Sequence, residues 1–159
     1  MYVPPLLIVE SIEKGIINWD DIVTVSENAS SMGGSQILLE TNEEMSVSDL
    51  FKGIAVASGN DAVVALAETI AGTEEEFVNM MNNRAKELGL KDTNFKNPHG
   101  LDEEGHYSSA RDMSIIAREL VKHEEVLEYI RLTRNPQEYK PAIGEYPTDP
   151  NNPFPPELN

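Results

Sequence analysis

Ser58, Gly59 and Asn60 are the residues of this chain whose types and spacing most readily suit chemistry. They lie within Gly53-Ile54-Ala55-Val56-Ala57-Ser58-Gly59-Asn60-Asp61-Ala62, where a glycine parts two apolar helical runs and leaves two polar side chains at the junction. Residues two apart in a continuous helix point to nearly opposite sides, whereas in an extended link they share a face. The break, eased by glycine, therefore lets a hydroxyl and a carboxamide converge on one substrate in a cleft. The same three residue types also serve helix ends, where Ser, Gly and Asn are favoured for backbone reasons alone.

Three other constellations carry reactive groups. Ser11-Ile12-Glu13-Lys14 has the spacing of a serine nucleophile with a lysine base one turn on. That pair works at the buried start of a long helix, where the ammonium is partly desolvated. Lys14 instead precedes Gly15, and lysine in a last turn followed by glycine is an ordinary helix end. His99, Asp102, Glu103, Glu104 and His106 crowd one segment, and imidazoles with carboxylates are metal donors. Their spacing matches no helical zinc signature, and carboxylates this dense beside Gly100 and Gly105 suit a solvated loop, so we expect no metal. Ser58, His99 and Asp112 could be written as a hydrolytic triad, but no Gly-x-Ser-x-Gly elbow or other context supports it.

The elements that must position these residues are mostly helical. Leu6 to Lys14 reads as a helix opened by Pro4-Pro5 and stopped by Gly15, and Ile22 to Val25 as a short strand. Residues 26 to 36, rich in Ser and Gly, read as a loop that either borders a cleft or merely connects. Ser46 with Asp49 resembles a capping box, after which Leu50, Ile54 and Ala57 line one face up to Ser58. A second helix begins at once, capped by Asn60 or Asp61, apolar around much of its girth, and ended by Gly72. Thr73 with Glu76 opens a third, which carries Phe77, Met80, Met81, Ala85 and Leu88 and closes at Gly89-Leu90. Ser109 with Asp112 opens a stripe of Met113, Ile116, Ala117, Leu120 and Val121, which Val126, Leu127 and Ile130 prolong. Four to six helices are expected.

Three segments together carry a family likeness. They are Thr24-Val25-Ser26-Glu27-Asn28-Ala29-Ser30-Ser31-Met32-Gly33-Gly34-Ser35, Ser58-Gly59-Asn60-Asp61-Ala62, and Thr93-Asn94-Phe95-Lys96-Asn97-Pro98-His99-Gly100-Leu101. Their order and spacing resemble the D-alanyl-D-alanine carboxypeptidases, the low-molecular-mass penicillin-binding proteins. The likeness runs from about Leu6 to Tyr129, with Tyr107 to Met113 extending it into the last strong helix. It implies a mainly α fold, the helical lobe of the DD-peptidase/β-lactamase-like fold, with the flanking antiparallel sheet largely missing. It also implies a serine-type D-Ala-D-Ala carboxypeptidase, a hydrolase that acts on peptidoglycan stem peptides and is acylated by β-lactams.

By the same resemblance such enzymes set Ser-x-x-Lys, Ser-x-Asn and Lys-Thr-Gly around one cleft, and this chain shows only the second where it belongs. The family's nucleophile would fall ahead of Met1 and its Lys-Thr-Gly strand at or past Asn159; no Lys-Thr-Gly triplet occurs. The expectation is a truncated, partial chain that is inactive alone. In the complete site Ser58 is implied to relay a proton, and Asn60 to hydrogen-bond the substrate amide and position the Ser-x-x-Lys lysine. No organic cofactor or metal is implied. The alternative is a non-catalytic scaffold or partner-binding helical module derived from the family, which would self-associate through an exposed helical face.

Composition bounds these readings. The 159 residues suit one domain, and 40% apolar content allows an ordinary core. A net charge of −16 excludes nucleic acid and anionic membrane surfaces as partners. With no cysteine, a disulfide framework and a thiol site are both impossible. Val3 and Leu6 to Val9 make a run too short, and too promptly followed by Glu10, for a signal peptide or a membrane span. An extracytoplasmic, cell-envelope location is thus implied by the resemblance alone. Seven of the ten prolines fall in residues 135 to 159, which separates a helical lobe, 1–134, from a Pro-rich strap or tail, 135–159.

Overall fold

The computed structural model describes residues 3–132, and the Pro-rich 135–159 segment expected as a strap or tail lies outside the described residues. Within them the chain is mainly α, as expected. It forms α1 (Val3–Glu13), β1 (Ile22–Thr24), α2 (Glu27–Ser30), β2 (Glu44–Ser46), α3 (Val47–Ala57), α4 (Asn60–Ala71), α5 (Glu74–Glu87), α6 (Ala110–Leu120) and α7 (Glu124–Leu132).

Two helices make the centre. Pro4 and Pro5 occupy the first turn of α1, where their missing amide hydrogens cost nothing, and every residue from Val3 to Ser11 is buried. The first two turns of α4, Asn60 to Ala67, are buried too. α4 packs against α1, α2, α3, α5 and β1, while α1 also meets α3, α5 and α6. Leu6, Ile8, Leu50, Phe51, Leu66 and Phe77 fill the space between them.

Local chemistry sets the helix ends. Ser46, Thr73 and Ser109 each accept a hydrogen bond from the amide three residues on, as the capping pattern predicts. After α5 the Leu90 amide bonds the Ala85 carbonyl and the Gly89 amide bonds Lys86, with Gly89 at φ 70°, which is the Schellman closure expected there.

The two strands pair antiparallel, Ile22 with Ser46, Val23 with Met45 and Thr24 with Glu44, and turn Val23 and Met45 inward. Only β1 is apparent in the sequence, because Glu44-Met45-Ser46 is too short and polar to show alternation. The stretch read as a loop from residue 26 begins with the one-turn helix α2, capped by Ser26, whose hydroxyl donates to Glu68 on α4. The stripe after Ser109 is likewise divided, since Val121 to His123 interrupt it between α6 and α7. The described residues thus contain seven helical segments.

Two contacts tie distant elements. Trp19, Phe51 and Tyr129 form a triangle with ring centroids 5.3, 5.2 and 4.9 Å apart, anchoring α7 on α3, and the Tyr129 and Ser48 hydroxyls are 3.1 Å apart. Buried Glu10 on α1 receives Arg84 of α5 at 2.7 and 3.0 Å, and Arg84 also reaches Glu119 on α6 at 3.7 Å.

Candidate functional site

The α3–α4 junction departs from the simple expectation that glycine supplies the bend. Ser58 is the left-handed residue, at φ 55° and ψ 37°, while Gly59 has φ −61°. Glycine at 59 instead relieves crowding. A Cβ there would lie 3.0 Å from Asp61 Oδ1 and 3.2 Å from Ile37 Cγ2. The Ser58 and Gly59 amides close α3 by bonding the carbonyls of Ile54 and Gly53, which leaves the Ser58 side chain exposed.

Asn60 is buried, 5% exposed, and neither it nor Asp61 caps α4 in the expected manner. The N-cap is Gly59, without a side-chain bond. Both polar side chains instead hold the segment 33–39. The Asn60 amide donates to the Ser35 carbonyl at 2.8 Å and its Nδ2 to the Gly33 carbonyl at 2.8 Å. Asp61, 1% exposed, accepts from the amides of Ile37 and Leu39 at 3.1 Å and from its neighbour Ala62 at 2.9 Å. A buried carboxylate is costly unless hydrogen-bonded, and backbone amides are its partners here. Ile37 completes the grip: its side chain fills the space a Cβ would take at Gly53, with Cδ1 only 2.7 Å from that position.

Gly34 joins this junction to a third segment. At φ 80°, it has no room for a Cβ, which would meet Asn60 Nδ2 at 2.7 Å and Leu101 Cδ2 at 3.3 Å. Each of the three segments that carry the family likeness therefore supplies one wall of a single close contact. The 97–101 loop is itself shaped by Asn97, whose Oδ1 accepts from the Gly100 amide at 2.7 Å and whose Nδ2 donates to Leu101 and Glu103 at 3.0 Å.

The other constellations are placed elsewhere. The Ser11 hydroxyl donates to the Leu7 carbonyl at 2.7 Å, and Lys14 is exposed, so that spacing is structural. His99 Nε2 lies 3.4 Å from Glu74 at the start of α5; burial, the largest influence, pushes its imidazole below the ordinary value despite the attraction of Glu74 and Glu103. His106 packs edge-on against Phe95 and accepts from the Lys96 amide. Asp112 accepts from the Thr93 hydroxyl and the Asp92 amide, both at 2.8 Å. Burial would raise its carboxyl, but these bonds and nearby Arg111 hold it below its usual value. Asp112 thus ties α6 to the 92–93 turn and is not joined to His99.

A reading of the sequence alone misses the partners of these residues: Asp61, read as a cap, grips Ile37 and Leu39, and Gly34, read in a loop, packs on Asn60. The usable signal was Asp61 itself, a carboxylate leading an otherwise apolar run that had to be buried.

A family profile described as D-alanyl-D-alanine carboxypeptidase matches residues 3–143. The chain is 63% identical over 124 residues to D-alanyl-D-alanine carboxypeptidase DacF of Bacillus subtilis, covering 78% of this chain and 32% of that protein. It is 45% identical over 120 residues to DacD of Escherichia coli, covering 72% and 31%. Among solved structures, the carboxypeptidase DacD of Francisella tularensis superimposes with a TM-score of 0.79 at 37% identity, over 81% of this chain and 32% of that one. The ampicillin-bound penicillin-binding protein D2 of Listeria monocytogenes does so at 0.68 and 28% identity, over 80% and 52%. The chain spans about a third of the length of the curated relatives it matches.

Proposed function

The chain belongs to the D-alanyl-D-alanine carboxypeptidase family, and from that premise we propose that it forms the Ser-x-Asn-bearing helical lobe of a serine-type D-Ala-D-Ala carboxypeptidase of the cell envelope. The complete enzyme acylates a serine with the penultimate D-Ala carbonyl of a peptidoglycan stem peptide, releases the terminal D-Ala and hydrolyses the ester. β-Lactams enter the same cleft as substrate mimics.

Ser58 relays the proton in this reading. Its hydroxyl passes a proton towards the departing amine and takes one back, a role that needs an exposed hydroxyl fixed at the cleft wall. The left-handed backbone of Ser58 is the observation that carries the proposal: a non-glycine residue holds a conformation that costs free energy, in the open, between the partly buried α3 and the buried start of α4. Asn60 gives one N–H to Gly33; its remaining N–H and Oδ1 serve the substrate amide and the lysine of the nucleophile motif. Ser11, whose hydroxyl is spent on the Leu7 carbonyl and whose motif partner Lys14 is exposed, does not provide that nucleophile in this reading.

Two measurements test this. The isolated chain, incubated with a labelled penicillin, should show no covalent adduct by intact mass, and an adduct on Ser11 or Ser58 would overturn the assigned roles. In the complete enzyme Ser58→Ala should lower D-Ala release by about 10²- to 10⁴-fold, the usual worth of a positioned proton relay; unchanged turnover would remove Ser58 from the mechanism.

A further inference from the structure

Asn60 and Asp61, neighbours at the start of α4, divide the hold on segment 33–39 between them. Asn60 donates to the carbonyls of Gly33 and Ser35, through its side chain and its backbone amide, and the Asp61 carboxylate accepts from the amides of Ile37 and Leu39. The segment belongs to no helix or strand, so these bonds stand in for a ladder. Asn60 already has a part in the proposed reaction. Asp61 has none.

The Asp61 carboxylate lies against the motif turn itself. Its Oδ1 is 3.0 Å from the Cβ position of Gly59, and Ile37, the residue it grips, brings Cγ2 within 3.2 Å and its amide nitrogen within 3.5 Å of the same point. At 1% exposure, water cannot stand in for those amides. The Asn60 carboxamide is fixed less directly. Its Nδ2 donates to the Gly33 carbonyl, which decides the way it faces, because a carbonyl accepts from the N–H₂ end alone. The Cβ side of Gly33 is open, with nothing within 4 Å, so side-chain packing there does not hold that carbonyl. Its place depends on how the rest of the segment is tied down.

We propose that Asp61 is a positioning residue for the carboxypeptidase reaction: by fixing segment 33–39 against Gly59, it keeps the Gly33 carbonyl where it orients the Asn60 carboxamide. The inference rests on the carboxypeptidase reading above. Asp61 touches neither substrate nor nucleophile in this role and acts through Asn60. A contact displaced by about 1 Å costs up to roughly 10²-fold in rate.

The test is a double-mutant cycle in the complete enzyme, with acylation by a labelled penicillin at saturation read by intact mass over seconds to days. Asp61→Asn, which keeps the shape but loses an acceptor, should slow acylation by about 10- to 10²-fold, with the half-saturating concentration moved less than about threefold. In an Asn60→Ala background the same change should cost no more than about twofold, because the group it acts through is already gone. Asp61→Ser, which offers a smaller acceptor, takes its place if thermal unfolding shows Asp61→Asn unfolded. Equal losses in both backgrounds, or no loss in either, overturn the role of Asp61 alone. A complete parent that neither takes up the penicillin nor releases D-Ala removes the carboxypeptidase reading and this proposal with it.

Discussion

Ser58 and Gly34 sit on opposite sides of one physical distinction. Ser58 has a left-handed backbone and an exposed side chain, so glycine in its place would lose only the hydroxyl. Ser58→Gly should raise the unfolding free energy by about 1 kcal/mol in urea titration, because the Cβ–carbonyl clash disappears, while activity falls. Gly34 has a positive φ and no space. Gly34→Ala should cost about 1 to 3 kcal/mol, whereas Gly33→Ala, with nothing within 4 Å of its Cβ position, should be nearly neutral. His99 gives a prediction in pH. Its folded value is pushed down by burial, so acidification below about 6.5 protonates the unfolded chain first, and stability falls from there until the pH passes the lowered folded value. Replacing His99 by Gln should remove that portion of the slope in a series of melting temperatures.

Segment 33–39 is held on the α3–α4 turn from one side chain more than any other. Asp61→Asn keeps the shape but points an N–H₂ at backbone amides that donate, so a buried donor loses its acceptor. We expect a loss of about 2 to 4 kcal/mol, read by chemical unfolding, together with faster amide exchange at Ile37 and Leu39. At this scale the capping signals were legible: Ser46, Thr73 and Ser109 each start a helix as their neighbours three residues on suggest. The start of α4 was not, because Asn60 and Asp61 have cap chemistry but spend it on a segment more than twenty residues away in sequence. Local pattern says which groups a residue offers; it does not say which distant backbone will take them. The strand Glu44–Ser46 escaped notice for a related reason, since three residues paired to a distant partner leave no period to read.

Among the described residues a buried helix pair is wrapped by the other helices, and the ion pair of Glu10 with Arg84, extended to Glu119, links α1, α5 and α6. Arg84→Ala would leave Glu10 buried without its cation and should cost about 3 to 5 kcal/mol, while Glu10→Gln combined with Arg84→Met should recover most of that, as thermal unfolding of the single and double variants would show. The helical character, and the family that the three segments point to, were readable because periodicity and order survive in one dimension. The meeting of those segments was not, because it depends on the missing side chain of Gly34 and the tip of Leu101.

That meeting constrains how the three stretches can change over evolutionary time. Bulk introduced at position 34 has nowhere to go unless Asn60 yields or Leu101 is trimmed. Drift in any one stretch is therefore answerable to the other two. In a library randomised at all three positions, survivors should show reciprocal choices, with an enlarged 34 accompanied by a shortened 101, instead of independent tolerance at each.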